Sequence, residues 1–197
     1  MFLVLAAFAL WYFAFQTDIW NFWVRLTLAA ALLATSALVL TPDRAALFRV
    51  RGRDIAIGVA SALVLYGIFW LGKQLALVIL PFAADQISSV YANRAQLDLL
   101  WIGLLLFFLL GPSEEIFWRG FVQRRLSEQF GVPGGWLIAT AIYALVHIWT
   151  LNLLLIAAAL VAGLFWGWLY HRTQSLVTVI VSHALWDMMI FVIFPVL

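Results

Sequence analysis

An all-α, polytopic transmembrane bundle of about seven helices is the fold class this sequence predicts. Three observations carry it. Of 197 residues, 66% are hydrophobic and 10% charged. A soluble domain cannot cover its surface with so few charges. The mean hydropathy is +1.08, and the apolar residues fall into long charge-free runs separated by short polar turns. The length suits a single integral-membrane domain over 1–197, with 1–96 as N-terminal scaffold helices and 97–197 as the helices that carry polar chemistry.

Residues 2–15 are apolar but short for a span, without a basic leader or a small-residue cleavage site, so they read as a thin first helix or a truncated start rather than a cleaved signal. Residues 19–40 form the second segment, with Arg25 near one end where it can snorkel. The third covers 55–72, and 75–82 extend it past Lys73. A fourth enters at 99–111, where Pro112 sets a kink or a helix start and Ser113 is placed to cap the next helix. Gly131, Pro133, Gly134 and Gly135 mark a turn. The charge-free stretch beyond it holds two helices, 136–150 and 153–170, with Asn152 near the turn between them. The last helix covers 176–194.

The arginines choose an orientation. Arg44, Arg49, Arg51 and Arg53 crowd one loop, Arg124 and Arg125 another, and Arg172 a third. With seven spans these loops share a side, which the distribution of basic residues makes cytoplasmic. Attraction to anionic headgroups is a second effect of the first cluster. The loop around Asp85 and Arg94 then falls on the opposite side.

Other classes drop out. Cys is 0, so there is no disulfide framework, thiolate nucleophile or cysteine metal site. The formal charge of +2 makes no basic stripe, so no nucleic-acid partner is expected.

Ionisable residues inside a membrane segment are costly and therefore informative. Here they are Glu114, Glu115 and Arg119 in GPSEEIFWRGF, His147 in YALVH, and His183 and Asp187 in HALWD, on three separate helices. At 1.5 Å rise per residue, Glu114 and His183 lie roughly 15 Å deep from the arginine side and His147 roughly 20–24 Å, so all three can meet near mid-membrane. Glu115 and Arg119 are four residues apart and share a face, as do His183 and Asp187. Glu114 points about one hundred degrees from Glu115, toward the cavity. A carboxylate withdrawn from water becomes a stronger base, suited to activating a water molecule. His147 shares or aligns that water, and His183 donates to a developing oxyanion. Asp187 orients His183 or itself acts at a reacting carbonyl. This set suffices for peptide-bond hydrolysis without a serine or cysteine.

These motifs resemble the CPBP intramembrane proteases, also called the CAAX-protease or Abi family, which include the Rce1-type prenyl-protein endopeptidases. EExxxR is intact as Glu114-Glu115-Ile116-Phe117-Trp118-Arg119. The usual FxxxH stands as Tyr143-Ala144-Leu145-Val146-His147, with the aromatic wall kept. The third motif, His followed four residues on by Asn or Asp, stands as His183-Ala184-Leu185-Trp186-Asp187. The resemblance implies a CAAX-protease-like core, with Glu114 and His147 activating the water. It also puts His183 and Asp187 on the oxyanion side, with Glu115 and Arg119 in support. Asp187 lacks the amide donor of an Asn, so ordering His183 is its safer role.

Plainer readings stand beside these. Glu115–Arg119 is equally a structural ion pair, and helix–helix hydrogen bonding is the lesser alternative for His147, His183 and Asp187. His171 reads as a solvated interfacial histidine, and Trp118, Trp166, Trp168 and Trp186 as packing or lipid-facing aromatics. Zinc on Glu114, His147 and His183 is a minority alternative. There is no HExxH, and the resemblance favours water activated by Glu and His with no cofactor. Expected partners are membrane lipid and a peptide or membrane-protein substrate entering laterally or from the cytoplasmic side. The expected location is a bacterial cytoplasmic membrane, with the cavity opening to the cytoplasm. Two rival functions remain: a non-enzymatic membrane immunity or assembly factor that retains the fold, and a proton-coupled transporter, whose repeat symmetry is not seen.

Overall fold

The computed structural model describes residues 2–196, and all regular structure among them is helical. Helix α1 covers Phe2–Gln16 and α2 Phe22–Val39, and a single turn, α3, covers Arg44–Leu47. Then come α4 over Gly52–Ile79, α5 over Ala83–Ala92, α6 over Leu99–Leu105 and α7 over Gly111–Phe117. Three more helices complete the chain: α8 over Arg124–Val146, α9 over Leu153–Thr173 and α10 over Leu176–Asp187. Five helical stretches are long and apolar enough to cross a membrane, and the chain is an integral membrane protein. One of the five, Leu99–Thr150, reverses inside α8 at Gly131, whose φ of 73° only glycine adopts freely. Past that point Gly135 packs so closely on the backbone of Ser127 that no side chain fits there. The arm after Gly131 therefore runs back along the arm before it.

The local chemistry accounts for several boundaries and corrects others. Asn21 caps α2 by accepting from the Val24 N–H at 2.9 Å, so the second segment starts at Phe22 rather than at 19. Asn152 and Ser175 cap α9 and α10 in the same way. Arg25 does not snorkel. It is buried, and its guanidinium donates to the carbonyls of Ala14, Ile19 and Trp20, which satisfies the end of α1 from inside the protein. Ser113 caps nothing: the chain stays helical through Pro112, because the preceding turn, Leu106–Leu110, is a π-helix. The missing proline N–H and the ring are absorbed in that widened turn. A second π-turn, Trp118–Gln123, comes after α7, and a third, Met188–Ile193, ends the last helix. α5 has no counterpart in the expected segments, because its sequence AADQISSVYA is too short and too polar to read as a span.

Helices in lipid gain little from the hydrophobic effect and associate instead through close packing of small residues. At Gly58 a Cβ would lie 2.8 Å from Val181 and 2.9 Å from the Thr178 carbonyl, so α4 and α10 meet almost backbone to backbone. Gly58→Val should destabilise the bundle by about 1–3 kcal/mol, as overpacking does; equilibrium unfolding in detergent checks this. At Gly111 a Cβ would lie 3.2 Å from the Ala184 backbone, which draws α7 onto α10. One turn beyond Gly111 stands Glu115, and one residue before Ala184 stands His183.

The arginine-bearing turns gather at one end. Arg125 donates to the Leu40 carbonyl at 2.9 Å, and Gly120 faces both Leu47 and Leu176. At the other end Gln16 reaches the Trp149 carbonyl, and Asn152 donates to the Gln86 carbonyl at 2.7 Å.

Candidate active site

The ionisable side chains converge between α7, α8 and α10. Glu115 is fully buried, and its Oε1 accepts from Arg119 Nη1 at 2.8 Å and from His183 Nδ1 at 2.7 Å. A carboxylate oxygen only accepts, so the His183 proton facing Glu115 is on Nδ1. On the other side of the ring, His183 Nε2 lies 3.6 Å from Asp187 Oδ2, an ion-pair distance rather than a hydrogen bond. The second oxygen of Glu115, Oε2, has no hydrogen-bond partner among the described residues.

The cation is enclosed by aromatic faces. The Arg119 guanidinium sits 4.9 Å from the centre of the Tyr143 ring and 5.6 Å from that of Trp166. Trp166 also stacks on His183, with ring centres 3.7 Å apart, and donates to Ser182 Oγ at 3.1 Å. Trp166 is thus packing, as expected, but packing that fixes a site imidazole.

Glu114 and His147 are linked through one residue. The Tyr143 hydroxyl donates to Glu114 Oε2 at 2.9 Å. The Tyr143 carbonyl lies 2.8 Å from His147 Nδ1. A carbonyl cannot donate, so Nδ1 carries the proton and Nε2 is left with its lone pair. The Trp11 indole approaches that nitrogen at 3.5 Å, a long donor contact from α1. Glu114 is half-buried, whereas Glu115, Arg119, His147, His183 and Asp187 are buried.

All six residues singled out in the sequence therefore lie in one connected region, in two linked groups. Glu115, Arg119, His183 and Asp187 form the first, Glu114 and His147 the second, and the Tyr143 ring on Arg119 joins them. Two contributors were not singled out: the Tyr143 hydroxyl, read only as part of an aromatic wall, and Trp11. Tyr143 had a legible signal, a phenol one helical turn before an intramembrane histidine. Trp11 had none, being one of 11 tryptophans in an apolar chain.

The minority zinc set does not come together: no three His, Asp or Glu side chains among the described residues are placed to hold a metal ion. His147 Nδ1 is spent on a carbonyl, and His183 Nδ1 on Glu115.

The molecule is thus an integral membrane protein with a buried carboxylate–imidazole–guanidinium network between its helices. The family model described as type II CAAX prenyl endopeptidase Rce1-like matches residues 96–189, a segment that holds all six of these side chains. That segment is similar to the Rce1-like CAAX proteases. Neither a curated protein nor a solved structure matches the chain.

Proposed function

We propose that the chain is an intramembrane endopeptidase in which Glu114 and His147 activate a water molecule. The observation that carries this is the tautomer of His147: its proton points at the Tyr143 carbonyl, which leaves Nε2 an acceptor that meets only the long 3.5 Å contact of the Trp11 indole, weak enough for a water to displace. Glu114, held by the neighbouring phenol, takes a proton from the water, and the oxygen attacks the substrate carbonyl carbon. His147 Nε2 aligns the water. When the tetrahedral intermediate collapses, the C–N bond breaks and Glu114 returns the proton to the leaving nitrogen. His183 stands on the oxyanion side. To donate from Nε2 it must carry its second proton, and Glu115 and Asp187 supply the counter-charge on either side of the ring. Asp187 orders that ring rather than donating itself. Arg119 holds Glu115 in place.

The substrate in this reading is a peptide bond near a hydrophobic or lipid-bound segment, entering laterally or from the arginine side. That side is the cytoplasm of a bacterial membrane. Residues 97–197 supply the chemistry and 1–96 the scaffold of one domain. No cofactor takes part. The test is cleavage of a membrane-peptide library in liposomes, with and without chelator, by wild type and Glu114→Gln. Loss with Glu114→Gln and indifference to chelator supports the proposal; equal cleavage by both proteins rejects the assigned base. A non-enzymatic immunity or assembly role would instead survive substitution of Glu114 and His147.

Trp11→Phe keeps an aromatic ring on His147 but removes its N–H. The expected result is a lower kcat with KM unchanged, and an altered ¹⁵N signature of the His147 ring. A change in KM alone would show that Trp11 merely shapes the substrate path.

A further inference from the structure

Trp186 separates the site from a second feature. On its other side lies a cavity of about 280 Å³ between α4, α5, α9 and α10. Phe69 and Trp186 both line it, with ring centres 4.7 Å apart, and Gln86, Ile87, Val90 and Tyr91 of α5 lie along it. Glu114, Glu115, His147 and His183 do not line it. Its wall is apolar except for α5 polar groups and one charge, Lys73. Lys73 is half-buried, and no acidic side chain among the described residues lies within ion-pair distance of it.

Depth identifies the occupant. Lys73 stands about 32 Å along the α4 axis from Gly52 at 1.5 Å per residue, and Gly52 adjoins the arginine loop. A hydrocarbon core is about 30 Å thick. Lys73 therefore reaches the headgroup level of the opposite leaflet, and the cavity descends beside it into the acyl region. A transmembrane helix, about 10–12 Å across, is too wide for so small a space. An extended peptide would leave its backbone groups unpaired against these apolar walls. A hydrocarbon chain ending in a negative head meets both demands: apolar walls for the chain and, for the head, an ammonium with no acidic side chain beside it among the described residues.

We infer that this cavity binds one acyl chain of an anionic phospholipid from the leaflet opposite the arginine turns, with the phosphate at Lys73. The chain runs past Gly72 and Phe69 to Trp186. Filling this space holds Trp186 against Trp166, whose ring centres are 5.4 Å apart, and so backs the ring stacked on His183.

The test is native mass spectrometry after incubation with dioleoyl-phosphatidylglycerol, dioleoyl-phosphatidylcholine or oleate. Wild type should retain one phosphatidylglycerol in preference to phosphatidylcholine. Lys73→Gln should lose about fivefold of that preference, equivalent to about 1 kcal/mol per lysine at a membrane surface. Gly72→Phe should lose both lipids, because a Cβ at Gly72 meets no atom within 4 Å and the ring can enter the cavity without strain. Unfolding curves of both variants, expected to match wild type, check that they are folded. Unchanged lipid preference in Lys73→Gln, unchanged retention in Gly72→Phe, or no retained lipid in wild type overturns the assignment. Retention of oleate but not phosphatidylglycerol overturns the phospholipid and leaves a fatty acid as the occupant.

Discussion

Glu115→Ala should destabilise the bundle by about 3–5 kcal/mol, the cost of stripping one partner from a buried ion pair. Glu115 is the acceptor for two donors on two helices, Arg119 at 2.8 Å and His183 at 2.7 Å. Its removal leaves a guanidinium only 2% exposed with aromatic faces but no counter-ion. Little water can reach it to compensate. Replacing both members, as in Glu115→Leu with Arg119→Met, should recover most of the stability, since apolar groups of similar volume replace a buried pair at little cost. It should not recover cleavage, because His183 still lacks its Nδ1 acceptor. SDS-unfolding equilibria and a cleavage assay on the same samples separate the two effects. A Glu115→Ala protein as stable as wild type would show that the pair does not hold α7 to α10.

Glu114→Gln should do the reverse. Glu114 is half-buried, and among the described residues its one side-chain hydrogen bond is accepted from the Tyr143 hydroxyl at 2.9 Å. The glutamine carbonyl can accept the same bond, so unfolding should change by less than about 1 kcal/mol. Proton transfer is lost outright, and general-base catalysis contributes typically about 10²–10⁴-fold. The expected result is a fall of that size in kcat with the fold intact. A large loss of stability would recast Glu114 as structural.

The sequence exposed the polar centre better than its wiring. Glu114, Glu115, Arg119, His147, His183 and Asp187 stand out because a charge or imidazole inside an apolar run is too costly to keep without a partner or a task. The Glu115–Arg119 pair was legible too, as a contact within one helix. The contacts between helices were not: Glu115 to His183 joins residues 68 apart, and Trp11 to His147 joins residues 136 apart. Helical periodicity assigns a residue to a face but not that face to a neighbour. When nearly every face is apolar, burial gives no further clue. The glycine turn at Gly131 was readable because its backbone conformation demands that residue. Pro112 was readable in part: it stands in the first turn of α7, as a helix start predicts, but proline marks only a local backbone cost, and whether the chain breaks there or widens into a π-turn depends on the packing around it.

The central claim is that Glu114 and His147 act on one water. A double-mutant cycle measures this: kcat for Glu114→Gln, His147→Ala and the combined variant on one membrane peptide in liposomes. Groups that work as a unit are strongly non-additive. The double variant should therefore be no slower than the worse single one, within about threefold. Losses that multiply would mean that the two residues act independently, and would contradict the shared-water mechanism.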